Sequence, residues 1–280
     1  VGYFITALKN FSEHTGDERF VRYINRWHLE KADSKAEISP PKKPIVFWIE
    51  KTVPYEYRQA IRDGISAWNN AYRKAGFDSA IEVRQQPDKT DWDPEDINYN
   101  TFRWITSGRG FAMGPSRVNP RTGQILDADI IFDADFVKHW RNEFENYMPE
   151  NTAWLSSSNE SRTRTSIGNS QSSPCGCGQC NLFSGHAFQN ALGATALAAT
   201  QDSIISDEEQ KRLIQQGLRL VAMHEVGHTL GLRHNFKGSS VASLDQINSK
   251  KNVDRRAATT SVMDYVPVNI VPKGSYQGPY

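Results

Sequence analysis

One stretch limits this chain more than any other: His224-Glu225-Val226-Gly227-His228-Thr229-Leu230-Gly231-Leu232-Arg233-His234. The residues leading into it carry a helical pattern, running through Leu213, Leu220 and Val221 and on to Leu230. Ser206-Asp207-Glu208-Glu209 reads as the capping box that opens this helix. Four residues apart on a helix, His224 and His228 stack on one face. Glu225 is rotated about 100° from His224. Gly231 tolerates the left-handed turn that ends a helix, so the chain can fold back and deliver His234 to the same point. Three imidazoles so placed fill three corners of a zinc tetrahedron, with nitrogens at about 2.0–2.1 Å, and leave the fourth open for water. Glu225 reaches that water without being a ligand. The bland reading of His224 and His228 alone is a pair of satisfied helix histidines; Gly231 and His234 at their spacing weigh against it.

The rest of the composition is compatible with a globular enzyme. The 280 residues suit one large domain or two small ones, and 38% hydrophobic content with 23% charged residues supports a buried core. Lys and Arg number 33 against 32 Asp and Glu, a net charge of +1, so no basic surplus exists to grip nucleic acid, and no stacking array of aromatics suggests it. The most apolar run, 191–199, falls well short of the roughly 20 residues that span a bilayer. The sequence starts at Val1 without a basic segment followed by an apolar one, and reads as an excerpt of a longer chain with adjoining domains.

Local patterning orders the chain. Residues 1–40 are expected to be an appendage or linker from a preceding domain, with a strand at 20–27 and a polar stretch ending in Pro40, Pro41 and Pro44. Ile45 to Ile49 reads as a buried strand. Tyr55 to Ala75 reads as one helix, with Ile61, Ile65, Trp68 and Tyr72 on one face and Gly76 at its stop. Short strands are expected at 81–83 and 102–105. In 124–132, Leu126, Ala128, Ile130 and Phe132 alternate with Asp127 and Asp129, which predicts one strand with a dry face and a wet one. Residues 150–185 are rich in Ser, Asn, Thr and Gly and are expected to form a long surface excursion.

The motif around His224 resembles the HExxHxxGxxH signature of the metzincin metalloproteases. Ser261-Val262-Met263-Asp264-Tyr265 resembles the Met-turn of that clan. The resemblance makes Met263 a hydrophobic floor beneath the metal, and gives Tyr265 a role in reaching the zinc or stabilising the transition state; the bland reading is a core or rim tyrosine. It makes 124–132 the antiparallel edge strand to which substrate adds as a strand. Gly2-Tyr3-Phe4, Arg26-Trp27-His28-Leu29-Glu30-Lys31, Pro41-Lys42-Lys43-Pro44-Ile45 and Asn119-Pro120-Arg121-Thr122-Gly123-Gln124-Ile125-Leu126 are similar to a family of large bacterial multidomain zinc metalloproteases, the Met-zincins. Those proteins are typically exported, so the resemblance implies a secreted, periplasmic or cell-surface location. After the third histidine stands Asn235, unlike the Glu of astacins or the Pro of serralysins, so those families' substrate preferences do not carry over.

Weaker signals have simpler readings beside the functional ones. Cys175, Cys177 and Cys180 fit one disulfide plus a free thiol, a structural zinc site completed by His186, or a thiolate that caps the catalytic zinc. Asp91, Asp93, Glu95 and Asp96 could hold calcium, but their spacing matches no EF-hand and a solvated acidic turn is the simpler reading. Asp127 and Asp129, like Asp133 and Asp135, are read as solvent-facing or hydrogen-bonded rather than as a calcium site. His14, His28, His139 and His186 have no spacing partner and are read as structural.

The expectation is an α/β, metzincin-like fold. A twisted mixed sheet would carry a backing helix and an active-site helix. The catalytic domain would run from 41 to 280, with an upper part 41–231 and a smaller lower part 232–280. The function expected is a zinc-dependent endopeptidase acting on protein or peptide, with His224, His228 and His234 on one zinc and Glu225 as base. Two alternatives remain: a silent zinc-binding module for adhesion or scaffolding, and a zinc hydrolase acting on a non-peptide amide.

Overall fold

The structure is a computed structural model, described here over residues 2–9, 20–108, 110–146, 207–252, 258–265, 269, 271 and 276. The cysteines, His14, His186 and the expected cap at Ser206 lie outside the described residues.

The architecture is mixed α/β. β1 (Ile5–Lys9) and β2 (Phe20–Ile24) form an antiparallel pair. β3 (Ile45–Ile49) follows, then α1 (Tyr55–Ser66), α2 (Asn69–Lys74), β4 (Ile81–Gln85) and β5 (Asn100–Ile105). Next come β6 (Ala112–Met113), β7 (Ser116–Val118), β8 (Ile125–Ala128), β9 (Ile130–Asp133), α3 (Asp135–Asn146) and the long α4 (Asp207–Thr229). Five strands build the main sheet in the order β4-β3-β5-β9-β6. The first four run parallel and only β6, at the edge, is antiparallel.

The core lies between this sheet and the helices. β3 reads Ile-Val-Phe-Trp-Ile, and Ile45, Phe47 and Ile49 are fully buried, as a strand of a covered parallel sheet should be. Ile61 and Ile65 of α1 meet Leu218, Val221 and Ala222 of α4 in the same cluster. The two helices approach backbone to backbone: a Cβ on Gly64 would stand 2.5 Å from the Arg219 carbonyl oxygen. Phe132 stacks on Trp104 and Phe136, each with ring centres 5.0 Å apart, and carries the core across to α3. No helix among the described residues is long and apolar enough to cross a membrane.

Three expectations are corrected. The single helix over 55–75 is interrupted at Ala67 and Trp68. There Asn69 turns its amide to both backbone groups of Ile81, and the Trp68 indole donates to the Met223 carbonyl at 2.8 Å. The single strand over 124–132 is two strands in two sheets. β8 pairs with β7, and the register slips opposite Leu126, a bulge that reverses the faces. Leu126 is therefore 48% exposed while Asp127 is 1% exposed. Of the two readings of the aspartates, solvent-facing or hydrogen-bonded, the second holds: Asp127 pairs with Arg117, while Asp129 accepts from the Thr101 backbone and hydroxyl. Finally, 124–132 is not the edge. β9 lies between β5 and β6, and the edge strand is the two-residue β6.

Candidate metal centre

Local chemistry begins with the end of α4. Gly231, at φ +93°, closes the helix in a Schellman turn: its N–H donates to the His228 carbonyl, and the N–H of Leu232 donates to that of Gly227. The reversal brings His234 back to the last turn. His228 and His234 meet Nε2 to Nε2 at 3.2 Å, and the ligand atoms of His224, His228 and His234 all lie within 4.8 Å of one another. Nitrogens at two corners of a zinc tetrahedron stand about 3.3 Å apart, so this donor set fits the ion.

Backbone carbonyls orient the rings. His224 Nδ1 donates to the Val262 carbonyl at 2.8 Å, and His228 Nδ1 donates to the Leu232 carbonyl at 2.9 Å. A proton held on Nδ1 leaves the Nε2 lone pair free to bind a metal. Burial also favours the neutral form of His228 and His234. His228 is held below the usual histidine range by loss of solvent, and His234 is lowered to about 4 by burial and by the His228 and Arg233 charges.

Glu225 sits on the same turn and is fully buried. Neither carboxylate oxygen has a hydrogen-bond partner among the described residues, and burial pushes its pKa up to about 8. A buried carboxylate without a partner is costly to a fold and suited to a group that must exchange protons. The turn after β6 packs directly on it: a Cβ on Gly114 would stand 2.5 Å from the Glu225 carbonyl oxygen. The sheet's antiparallel edge thus ends beside the histidine helix.

Beneath the histidines lies the segment 261–265. Met263 is buried against Gly227, where a Cβ would stand 2.1 Å from its sulfur. The Met263 carbonyl accepts from Asn235 N–H at 2.7 Å, which ties the returning loop to this floor. Tyr265 hydroxyl lies 2.8 Å from His234 Nε2. Every site residue expected from the sequence therefore gathers here: His224, Glu225, His228, Gly231, His234, Met263 and Tyr265.

Several participants were not expected. Asp264 pins the floor by accepting from the backbone N–H groups of Ser239 and Tyr265. Trp68 lies 2.9 Å from the same imagined Cβ on Gly227, and Phe236 stacks on His234 with ring centres 5.4 Å apart. The glycine inside the histidine motif was the available signal for the close approach of Trp68 and Met263. No second metal cluster of three or more His, Cys, Asp or Glu occurs among the described residues. In the 91–96 loop, Asp93 and Asp96 accept from nearby backbone N–H groups and Glu95 pairs with Arg103. His28 lies on the surface beside Glu30.

Residues 206–280 match the family model described as Met-zincin. No curated protein and no solved structure matches the chain. The matched segment contains all three histidines, the helix that carries two of them and the methionine floor. Its cluster fits a zincin site and supports a zinc metalloprotease-type module, and over residues 206–280 the chain is similar to the Met-zincins.

Proposed function

We propose that the chain is a zinc-dependent endopeptidase. The observation that carries this reading is the convergence of three imidazoles, with both helix histidines oriented through Nδ1, beside a buried glutamate whose carboxylate has no partner among the described residues. His224, His228 and His234 would hold the ion. When bound, zinc supplies Lewis acidity that polarises the oxygen of a water or a carbonyl. Glu225 takes the proton of the attacking water and returns it to the departing amine. Its raised pKa suits both halves of that task, because a base near neutrality is also a usable acid. Tyr265 offers a hydroxyl donor to the oxyanion of the tetrahedral intermediate. The outer side of β6, which pairs with no strand among the described residues, offers backbone groups to an extended peptide, which would add there as a further strand.

The test is cleavage of an unbiased peptide library by zinc-loaded protein, beside Glu225→Gln, read by mass spectrometry. Cuts should appear in the parent and disappear in the variant while zinc remains bound. Cuts that persist in Glu225→Gln overturn the assignment of the base. Zinc bound without cuts in either protein points to the silent module instead.

A further inference from the structure

The corner that delivers His234 is held from both sides. On one side are its own helix and the His228 ring, through the bonds described above. On the other side is a remote part of the chain. The Phe4 N–H donates to the Gly231 carbonyl at 2.8 Å, and the Arg233 N–H donates to the Gly2 carbonyl at 2.9 Å, so residues 2–4 lie antiparallel to 231–233 with Tyr3 opposite Leu232. Trp27 Nε1 donates to the Thr229 carbonyl at 2.9 Å, satisfying one of the carbonyls a helix end leaves open. Asn25 is buried between these contacts. Its N–H donates to the Phe4 carbonyl, its side chain accepts from the Thr6 hydroxyl, and its carbonyl oxygen stands 2.2 Å from where a Gly231 Cβ would be. The Phe4 ring lies 5.8 Å from the ring of His228. Arg26 exchanges backbone bonds with Gly123 and Ile125, which anchors the strap to β8.

We propose that residues 2–4 with Asn25 and Trp27 are positioning residues of the metal centre, holding the 229–233 corner so that His234 arrives as the third ligand. This rests on His224, His228 and His234 being the ligands. The physical reason is pre-organisation. Loop residues that are already fixed lose little freedom when the ion binds, so each bond to the corner lowers the cost of assembling the site. The glycine at 231 serves two demands at once: it reverses the chain, and it leaves room for the Asn25 carbonyl.

Trp27→Phe tests this, because it keeps an aromatic ring while removing the donor to Thr229 and part of the indole's bulk. Phe4→Pro removes the donor to Gly231 together with the ring beside His228. Zinc affinity is measured by competition with a chromophoric chelator, and the site's geometry by the visible spectrum of the cobalt-substituted protein. Outer-shell changes of this kind weaken metal binding about 10- to 100-fold. Trp27→Phe should lie near the lower figure and Phe4→Pro nearer the upper, both with an altered cobalt band. Thr101→Val is the control, since it breaks the Thr101–Asp129 hydrogen bond away from the corner and should leave affinity and spectrum at the parental values. Variants that bind zinc as tightly as the parent, with an unchanged cobalt spectrum, overturn the proposal. So does a control weakened as much as they are. A parent protein that binds no zinc removes the ligand assignment and this proposal with it.

Discussion

Gly227→Ala sets two well-known effects against each other, and the structure decides the sign. Residue 227 is inside α4, where alanine is favoured over glycine by about 1 kcal/mol. Helix propensity alone therefore predicts a more stable protein. The new Cβ, however, would stand 2.1 Å from the Met263 sulfur and 2.9 Å from Trp68. Ordinary contact needs about 3.5–4.0 Å, so the sulfur must retreat by about 1.5 Å. Neither neighbour yields easily. The Met263 thioether is the flexible end of its side chain, but Met263 is 1% exposed and the sulfur can retreat only into packed space; Trp68 is tethered through its indole to Met223. Overpacking of this kind costs about 1–3 kcal/mol. At the upper end, less the helix gain, the net loss is about 2 kcal/mol, or a fall of about 4–8 °C in Tm. Thermal denaturation of metal-free and zinc-loaded protein measures it. A midpoint equal to or above the parent's would refute the reasoning. On a Met263→Ala background Gly227→Ala should cost less than in the parent, because the smaller side chain vacates the contested space.

Two further outcomes follow from the same geometry. Tyr265→Phe removes the hydroxyl beside His234 and should lower kcat about 100-fold at unchanged zinc content, as loss of an oxyanion donor does; steady-state kinetics with an unchanged kcat would reduce Tyr265 to packing. Asp127 is raised to about 6, by burial first and by the Asp129 charge second, with Arg117 pulling the other way. The folded state thus holds a proton that the unfolded chain releases near pH 4. That contribution to stability is fully present below about pH 4 and is lost as pH rises through about 6. Denaturant midpoints measured from pH 4 to 7 should show a shallower decline for Asp127→Asn, and parallel profiles would count against the burial argument.

The metal centre was legible because its signals are periodic and local. The i, i+4 histidines, the terminating glycine and the later methionine are each written in residue types that do little else at those spacings. β3 was legible for the same reason, as an unbroken apolar run. The features that escaped carry no such signature. A bulge adds one residue without changing composition, so the alternation from Leu126 to Phe132 read as one strand although its first half faces the other way. α3 was hidden by economy: Asp133 is the last residue of β9, and its carboxylate also accepts the N–H of Asp135 to start the helix. The edge strand β6 is only two residues long and lies in a Gly/Pro-rich stretch. The bonds from residues 2–4 to the corner run backbone to backbone across more than two hundred positions, and peptide groups are the same in every sequence.

The carbonyls that orient His224 and His228 have a consequence for how this centre can change. In many metal sites the partner of a ligand imidazole is a carboxylate side chain, which a single substitution can delete. Here both partners are peptide oxygens, of Val262 and Leu232. No replacement of those two side chains removes the acceptor; only a change in the course of the chain does. The tautomers of His224 and His228 are therefore inherited with the path of the backbone, and the positions able to spoil them are those where the path itself has little room: Gly227 over the floor and Gly231 at the corner. Mutational scanning of this region should find the histidines and these two glycines intolerant, and Val262 and Leu232 open to any residue of similar bulk.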